Sequence, residues 1–257
     1  MKLGDRRGEL ELSPVEFEMH LRETRILERK LGRPVLLGHT DSDGTRLLTR
    51  IWYPKGRWSS DRFWPYSVRF CNAARMLRDR GIHAPVTRAH GAIDGTLIRF
   101  AVFEEFEGTP LRLLQPAIDL RALAAYVAEL HARGVYCRGL NLDSVFALKN
   151  GGFALQDVAD TKLLDRPLPA RMRERNLGIL CANPVDLEFM LAGRWSDLVM
   201  AYCRAAGLTL RQSAGMLDRV RSEIDRRRAK RQGHDEPAAI GAAAPPHLFG
   251  SNGPRRR

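Results

Sequence analysis

The side chains best placed to do chemistry in this chain lie in residues 130–160. Asp157 is a carboxylate, a hard oxygen donor of the kind that holds magnesium. Upstream of it Asp143 is a candidate proton acceptor, and the hydroxyl of the adjacent Ser144 is a second oxygen for the same cation. Cys137 precedes Arg138, and a neighbouring cation can lower a thiol pKa. Cysteine is also among the residue types most often buried, so an inert, buried Cys137 is the expectation. Between these groups stands Gly139, which has no side chain to give or take a proton.

The spacing of these residues follows a known frame. A protein-kinase-like catalytic loop has the form H-x-D-L-x-x-x-N, with the Asp as base and the Asn as metal ligand. With Leu140 as the anchoring Leu, the His position is Cys137, the Asp position is Gly139 and the Asn position is Ser144. Residues 145–149 and 153–157 are then two short apolar runs around Asn150-Gly151-Gly152, the pattern of a β-hairpin. A hairpin there puts Asp157 where the Asp of D-F-G stands.

On these residues the chain resembles the bacterial lipopolysaccharide core kinases, the Kdo and heptose kinase group, which are similar in fold to protein kinases. The matching stretches include Leu130-His131-Ala132-Arg133-Gly134-Val135-Tyr136, Leu140-Asn141-Leu142 and Leu155-Gln156-Asp157. Two more are Arg80-Gly81-Ile82-His83-Ala84-Pro85 and Phe103-Glu104-Glu105-Phe106-Glu107-Gly108-Thr109-Pro110-Leu111. Together they span residues 46–208 in the right order. The resemblance implies a two-lobed, protein-kinase-like α+β fold: a small β-rich lobe with an N-terminal extension over residues 1–110, a helical large lobe over 111–231, and a disordered basic tail over 232–257. It implies ATP and Mg2+ as cofactors. Nucleotide would meet Arg50 near its phosphates and Glu104, Glu105, Phe106 and Gly108 at the hinge. Asp157 and Ser144 would hold the metal, Asp143 is the substitute base for Gly139, and His131 is a structural buttress of the loop.

The departures from the family pattern set the functional expectation. Arg50 occupies the small-lobe lysine position, and a planar, broad, always-charged guanidinium is not equivalent to an ammonium at a tight phosphate site. Residues 66–76 hold no acid to pair with it, Asn72 being the nearest polar candidate. Gly38 and Gly44 flank a segment without G-x-G-x-x-G. A general base contributes about 10²- to 10⁴-fold, and position 139 supplies none. The leading expectation is therefore a catalytically impaired pseudokinase with a binding or regulatory role linked to the cell envelope. The alternatives are a divergent active kinase for a lipopolysaccharide core sugar, and a binder of nucleic acid or anionic surfaces.

Stepwise along the chain, the elements that must position these groups are a helix over residues 14–29, strands over 33–38, 46–52 and 96–106, and a helix over 63–79 stopped by Gly81 and Pro85. Asp119 is an N-cap for a helix with Leu120, Leu123, Val127 and Leu130 on one face. Helices over 195–206 and 210–228 follow. With 257 residues, 44% of them hydrophobic, the chain can bury a sizeable core.

No apolar stretch approaches the roughly 20 residues of a membrane span, and residues 1–9 lack an apolar signal core, so a cytoplasmic protein is expected. Four scattered cysteines suggest neither zinc nor a disulfide framework. The net charge of +12 invites anionic partners. It is concentrated in Arg221, Arg226, Arg227, Arg228, Lys230 and Arg231 and in residues 255–257, which could hold the chain peripherally at the anionic inner membrane or on a lipopolysaccharide precursor. A protein partner is a further expectation. No zinc-finger, basic-heptad or RNA-recognition motif supports nucleic acid beyond the charge itself.

Overall fold

The computed structural model describes residues 3, 6–54 and 64–232. The expected tail and the cations at 255–257 lie outside them. The first elements are β1 (Gly8–Leu12), α1 (Pro14–Glu23), β2 (Arg25–Lys30), β3 (Arg33–Thr40), β4 (Arg46–Trp52), α2 (Tyr66–Asp79), β5 (Thr87–Ile93) and β6 (Arg99–Glu104). The six strands form one sheet in the order β1-β5-β6-β4-β3-β2, with β1 parallel to β5 and every other pair antiparallel.

Period-two alternation divides this sheet between two cores. Leu47 and Ile51 of β4, Leu37 of β3 and Phe100 and Val102 of β6 pack in one cluster with Phe17 of α1. Leu48, Ala101 and Phe103 face the other way, against Phe70, Ala74 and Leu77 of α2 and into the helical half of the chain. Arg50 shares the parity of Leu48, so strand geometry alone turns it toward that second half.

The expected helix over residues 14–29 is corrected. Its start is well signalled: Ser13 and Glu16 form a reciprocal capping box and Pro14 opens the first turn. It ends at Glu23, and Arg25–Lys30 is a strand. The physical cause is the next two residues, Leu31 and Gly32, whose φ values of 51° and 75° make a two-residue hairpin turn joining β2 to β3. Pairing along β3 overrides the helical propensity of Leu27, Glu28, Arg29 and Lys30. This hairpin, not the segment between Gly38 and Gly44, is the first turn of the sheet's long antiparallel run.

The second half contains β7 (Gly108–Pro110), α3 (Leu120–Ala132), β8 (Val135–Cys137), β9 (Val145–Leu148), β10 (Phe153–Leu155), β11 (Thr161–Leu163), α4 (Ala170–Cys181), the single turn α5 (Leu187–Phe189), α6 (Trp195–Ala205) and α7 (Leu210–Gln232). The hairpin around Asn150 forms with Val145 opposite Leu155, as the apolar runs require, and β7 joins its outer edge. Asp119 caps α3 through the N–H groups of Arg121 and Ala122. A bridge between His83 and Ala154, with the Leu155 N–H donating to His83 O at 2.9 Å, ties the segment after α2 to that hairpin. The chain is thus α+β, with a sheet-rich N-terminal part and a helical C-terminal part. Among the described residues no helix is long and apolar enough to cross a membrane, and the four cysteines are free thiols.

Candidate functional site

The fold brings Arg50 to Asp157, residues separated by more than a hundred positions in the chain. An Arg50 Nη2 to Asp157 Oδ2 distance of 3.5 Å joins β4 to the residue just beyond β10, and Arg50 Nη1 donates to Glu28 Oε2 of β2 at 3.0 Å. The acid that meets Arg50 here, Glu28, comes from the neighbouring hairpin rather than from α2. Asp157 keeps about half of its side chain exposed. Partly exposed pairs of this kind contribute about 0–1 kcal/mol, so the arrangement does little for stability; what it does is place one cation between two carboxylates, Glu28 and Asp157.

The loop that follows β8 is built on Asn141. Its Oδ1 accepts from the N–H groups of Asp143 (2.8 Å) and Ser144 (3.1 Å), and its Nδ2 donates to Gly139 O at 2.8 Å. Ser144 closes the same turn, its Oγ donating to Asn141 O at 2.9 Å and accepting from the Asn141 N–H at 3.0 Å. The Ser144 hydroxyl is therefore committed to the turn, and the residue is 5% exposed. Asp143 is ion-paired with Arg112 at 3.3 Å. Gly139 is exposed, and a Cβ there would meet nothing within 4 Å.

As a magnesium site this donor set is thin: one carboxylate facing a guanidinium and one hydroxyl enclosed in its own turn. Among the described residues no group of three or more His, Cys, Asp or Glu converges as metal ligands.

Beneath the loop lies an anchor that has no counterpart in the sequence reading. Asp186, with 0% exposure, receives Arg112 Nε at 2.8 Å and Nη2 at 3.1 Å, and the Leu142 N–H at 3.4 Å. Arg112 follows β7 and Asp186 precedes α5, so the bidentate pair ties two distant segments to the loop. The Asp186 hydrogen bond raises the Arg112 pKa further above its already high value. Nothing local in the sequence marks Asp186 or Arg112 as partners.

A second clamp holds the other end of the loop. Asn176 of α4 donates from Nδ2 to Cys137 O at 2.6 Å and accepts the Cys137 N–H on Oδ1 at 3.4 Å. The same Oδ1 is 3.1 Å from His131 Nε2, and His131 Nδ1 is 2.9 Å from the Tyr202 hydroxyl. Since Oδ1 can only accept, Nε2 carries the proton and Nδ1 receives the Tyr202 O–H. Burial brings the His131 pKa down to about 4 and pushes the Cys137 thiol up to about 12, so Arg138 does not make that thiol a nucleophile.

The residues expected at a hinge are mostly engaged by their neighbours. Glu104 accepts from Arg88 Nε at 2.7 Å, Glu105 pairs with Arg46 at 3.2 Å, and the Phe106 ring lies 5.8 Å from that of Phe146. A Cβ on Gly108 would stand 2.5 Å from Ala147 O, so only glycine lets β7 approach β9.

The buried imidazoles give a pH dependence with a definite sign. His20 of α1 bonds to Thr49 Oγ1 at 3.2 Å, and burial, with a smaller contribution from His39, lowers its pKa to about 4, as burial does for His131. A depressed histidine pKa means that the unfolded chain binds more protons between about pH 6.5 and 4, so stability is full above that window and falls as pH drops through it. Each such group contributes a slope of up to about 1.4 kcal/mol per pH unit. Urea midpoints measured from pH 7 to 4.5 should fall steadily, and less steeply in His20→Gln; an unchanged profile in that variant would remove His20 from the account.

No family model matches the chain, and no curated protein matches it. Among solved structures it is similar to a divergent kinase lacking the glycine-rich loop that regulates membrane ultrastructure of the Toxoplasma parasitophorous vacuole, at 15% identity and a TM-score of 0.45, over 80% of this chain and 84% of that one.

Proposed function

We propose that this chain is a protein-kinase-like domain that has lost phosphoryl transfer and acts by binding. The observation that carries the reading is the Arg50 guanidinium lying between Asp157 and Glu28, in a chain whose loop has Gly139 at the base position. In a phosphoryl-transfer site the small-lobe cation serves the phosphates and the carboxylate serves the metal. Here cation and carboxylate face each other. The order of elements supports the kinase-like frame: a mostly antiparallel sheet interrupted by α2, a short connection after β6, α3, the Asn141 loop, the β9–β10 hairpin and then Asp157.

ATP and Mg2+ belong to the proposal as ligands of this cleft, with Arg50 serving phosphates once a cation takes Asp157. The finer reading, a link to lipopolysaccharide metabolism, rests on the sequence resemblance at residues 130–157. A peripheral position at the anionic inner membrane rests on the α7 cations. Several of those have internal partners, Arg226 and Arg227 on Glu223 and Arg231 on Ala182 O.

The test is ATP-dependent phosphate transfer to a lipopolysaccharide core sugar, with thermal shift in ATP with and without magnesium. The expected result is no transfer above background, together with an ATP-induced rise in melting temperature that requires magnesium and is lost in Asp157→Ala. Turnover that disappears in Asp157→Ala overturns the pseudokinase reading, and its loss in Asp143→Ala as well would identify the substitute base. Melting temperatures that are equal at every nucleotide concentration remove the cleft as a nucleotide site.

A further inference from the structure

Helices α4 and α7 pack on a shared core that includes Leu177, Leu180, Met216, Val220 and Ile224, and two adjoining concavities lie beside that seam. One, of about 270 Å³, is lined by Arg175, Arg226, Arg227, Lys230 and Arg231, every one of them a cation. The other, of about 500 Å³, shares Arg175 and Arg226 with the first and adds Arg171, Arg219, Ser222, Glu174 and Glu223. Positions 171 and 175 of α4, and 219, 223, 226 and 230 of α7, recur at steps of three or four residues, so each set stands on one helix face and the two concavities form one groove. At 1.5 Å of rise per residue it follows α7 for about 16 Å.

The charges in this groove do not cancel. Arg219 Nε donates to Glu174 Oε1 at 2.5 Å, and Arg226 and Arg227 donate to Glu223 Oε1 at 2.7 and 2.8 Å. These bonds engage both carboxylates of the lining and fix three guanidinium groups in its wall. Arg231 donates to Ala182 O at 2.6 Å. Arg171, Arg175 and Lys230 are exposed, and among the described residues none of the three side chains has an ion pair or hydrogen bond. Seven cations against two carboxylates leave a local excess of five positive charges. No aromatic or apolar side chain lines the groove.

We propose that this groove seats the sugar-phosphate backbone of a nucleic-acid duplex, independently of base sequence. The backbone is a convex ridge with regularly spaced negative charges, which suits a concave row of cations, and six of the seven cations are arginines, whose planar fork matches phosphate oxygens. The lining itself separates this partner from two others. Single strands are held by bases stacked on aromatic side chains, and the groove has none. Helices that lie on a bilayer pair their cations with exposed apolar side chains, and the groove has none of these either. The proposal goes beyond the reading of the Arg50 site and does not depend on it, because none of Arg50, Glu28 or Asp157 lines the groove; it assigns a different partner to the α7 cations on which the inner-membrane position rests.

The experiment is fluorescence anisotropy of the full chain with short labelled DNA duplexes of two unrelated sequences and with one of their single strands, over a series of salt concentrations. Sedimentation with phosphatidylcholine–phosphatidylglycerol vesicles runs beside it. The two duplexes are expected to bind alike and more tightly than the single strand. With three unpartnered cations meeting phosphates, the logarithm of the affinity should fall with the logarithm of salt concentration at a slope of about −3. Arg175→Ala and Lys230→Ala, exposed changes that remove no internal partner, should each weaken both duplexes equally and reduce the slope by about one. Arg211→Ala, which takes the same charge from an exposed position of α7 outside the groove, should leave the slope unchanged. Equal losses in Arg175→Ala and Arg211→Ala would reduce the groove to net charge and overturn the proposal. So would tighter binding of the single strand, absence of duplex binding, or vesicle binding that Lys230→Ala abolishes while duplex binding stays intact.

Discussion

Asp186→Ala is expected to destabilise the fold by about 3 kcal/mol and to loosen the Asn141 loop. Removing one partner of a buried ion pair typically costs about 3–5 kcal/mol, because the other charge is left without compensation. Arg112 retains about a quarter of its side-chain exposure and keeps Asp143 as a second acidic neighbour, which places the expected loss at the lower end. The Leu142 N–H also loses its acceptor. For a domain of this size such a loss lowers the melting temperature by roughly 6–12 °C. Urea denaturation should show a lower midpoint with an unchanged slope, and amide exchange should accelerate at Leu142 and Ser144. Asp186→Asn retains hydrogen-bonding capacity without the charge and should fall between the two. A loss below about 1 kcal/mol in Asp186→Ala would show that Arg112 finds other support and that the pair is not the loop's anchor.

Asn176→Ala is the second large effect. One amide satisfies the N–H and C=O of Cys137 and the Nε2 proton of His131, all of them buried. Each orphaned buried polar group costs about 1–3 kcal/mol, so the total expected is about 3–5 kcal/mol, less than three separate losses because the freed groups share one cavity. Asn176→Asp separates packing from chemistry. Its carboxylate still accepts from Cys137 and His131 but cannot donate to Cys137 O, so it remains destabilising at pH 7. The new negative charge favours the imidazolium, raises the His131 pKa from about 4 toward its ordinary value and flattens the loss of stability on acidification. A variant with lowered stability but the parental pH profile would mean that His131 and Asn176 do not share a proton-bearing contact.

The connection between these two clamps explains what holds the loop's geometry around a glycine at position 139. Asn176 and Asp186 hold the backbone at positions 137 and 142, on either side of Gly139, and neither contact needs a side chain at 139. The loop is therefore kept in shape by contacts to its backbone from α4 and from the residue before α5. A Cβ at Gly139 would meet open space, so packing does not require glycine at this position.

What the sequence by itself determined is the part governed by short-range rules. The alternation in β4 assigns Arg50 to the face of Leu48, and the Asn150-Gly151-Gly152 turn closes the β9–β10 hairpin that leads to Asp157. Asp119 starts α3, and Ser13 with Glu16 starts α1. Each of these is settled by hydrogen bonds or steric limits within a few residues. What only the tertiary structure decided is who meets whom. Residues 25–29 read as helix in isolation and become part of a strand because β3 is there to pair with them, and that is what brings Glu28 to Arg50. Arg112 finds Asp186 from 74 residues away and Asn176 finds Cys137 from 39. An arginine, an aspartate or an asparagine carries no local mark of its partner, since a charged or amide side chain is equally at ease in water until packing removes the water and makes one particular partner necessary.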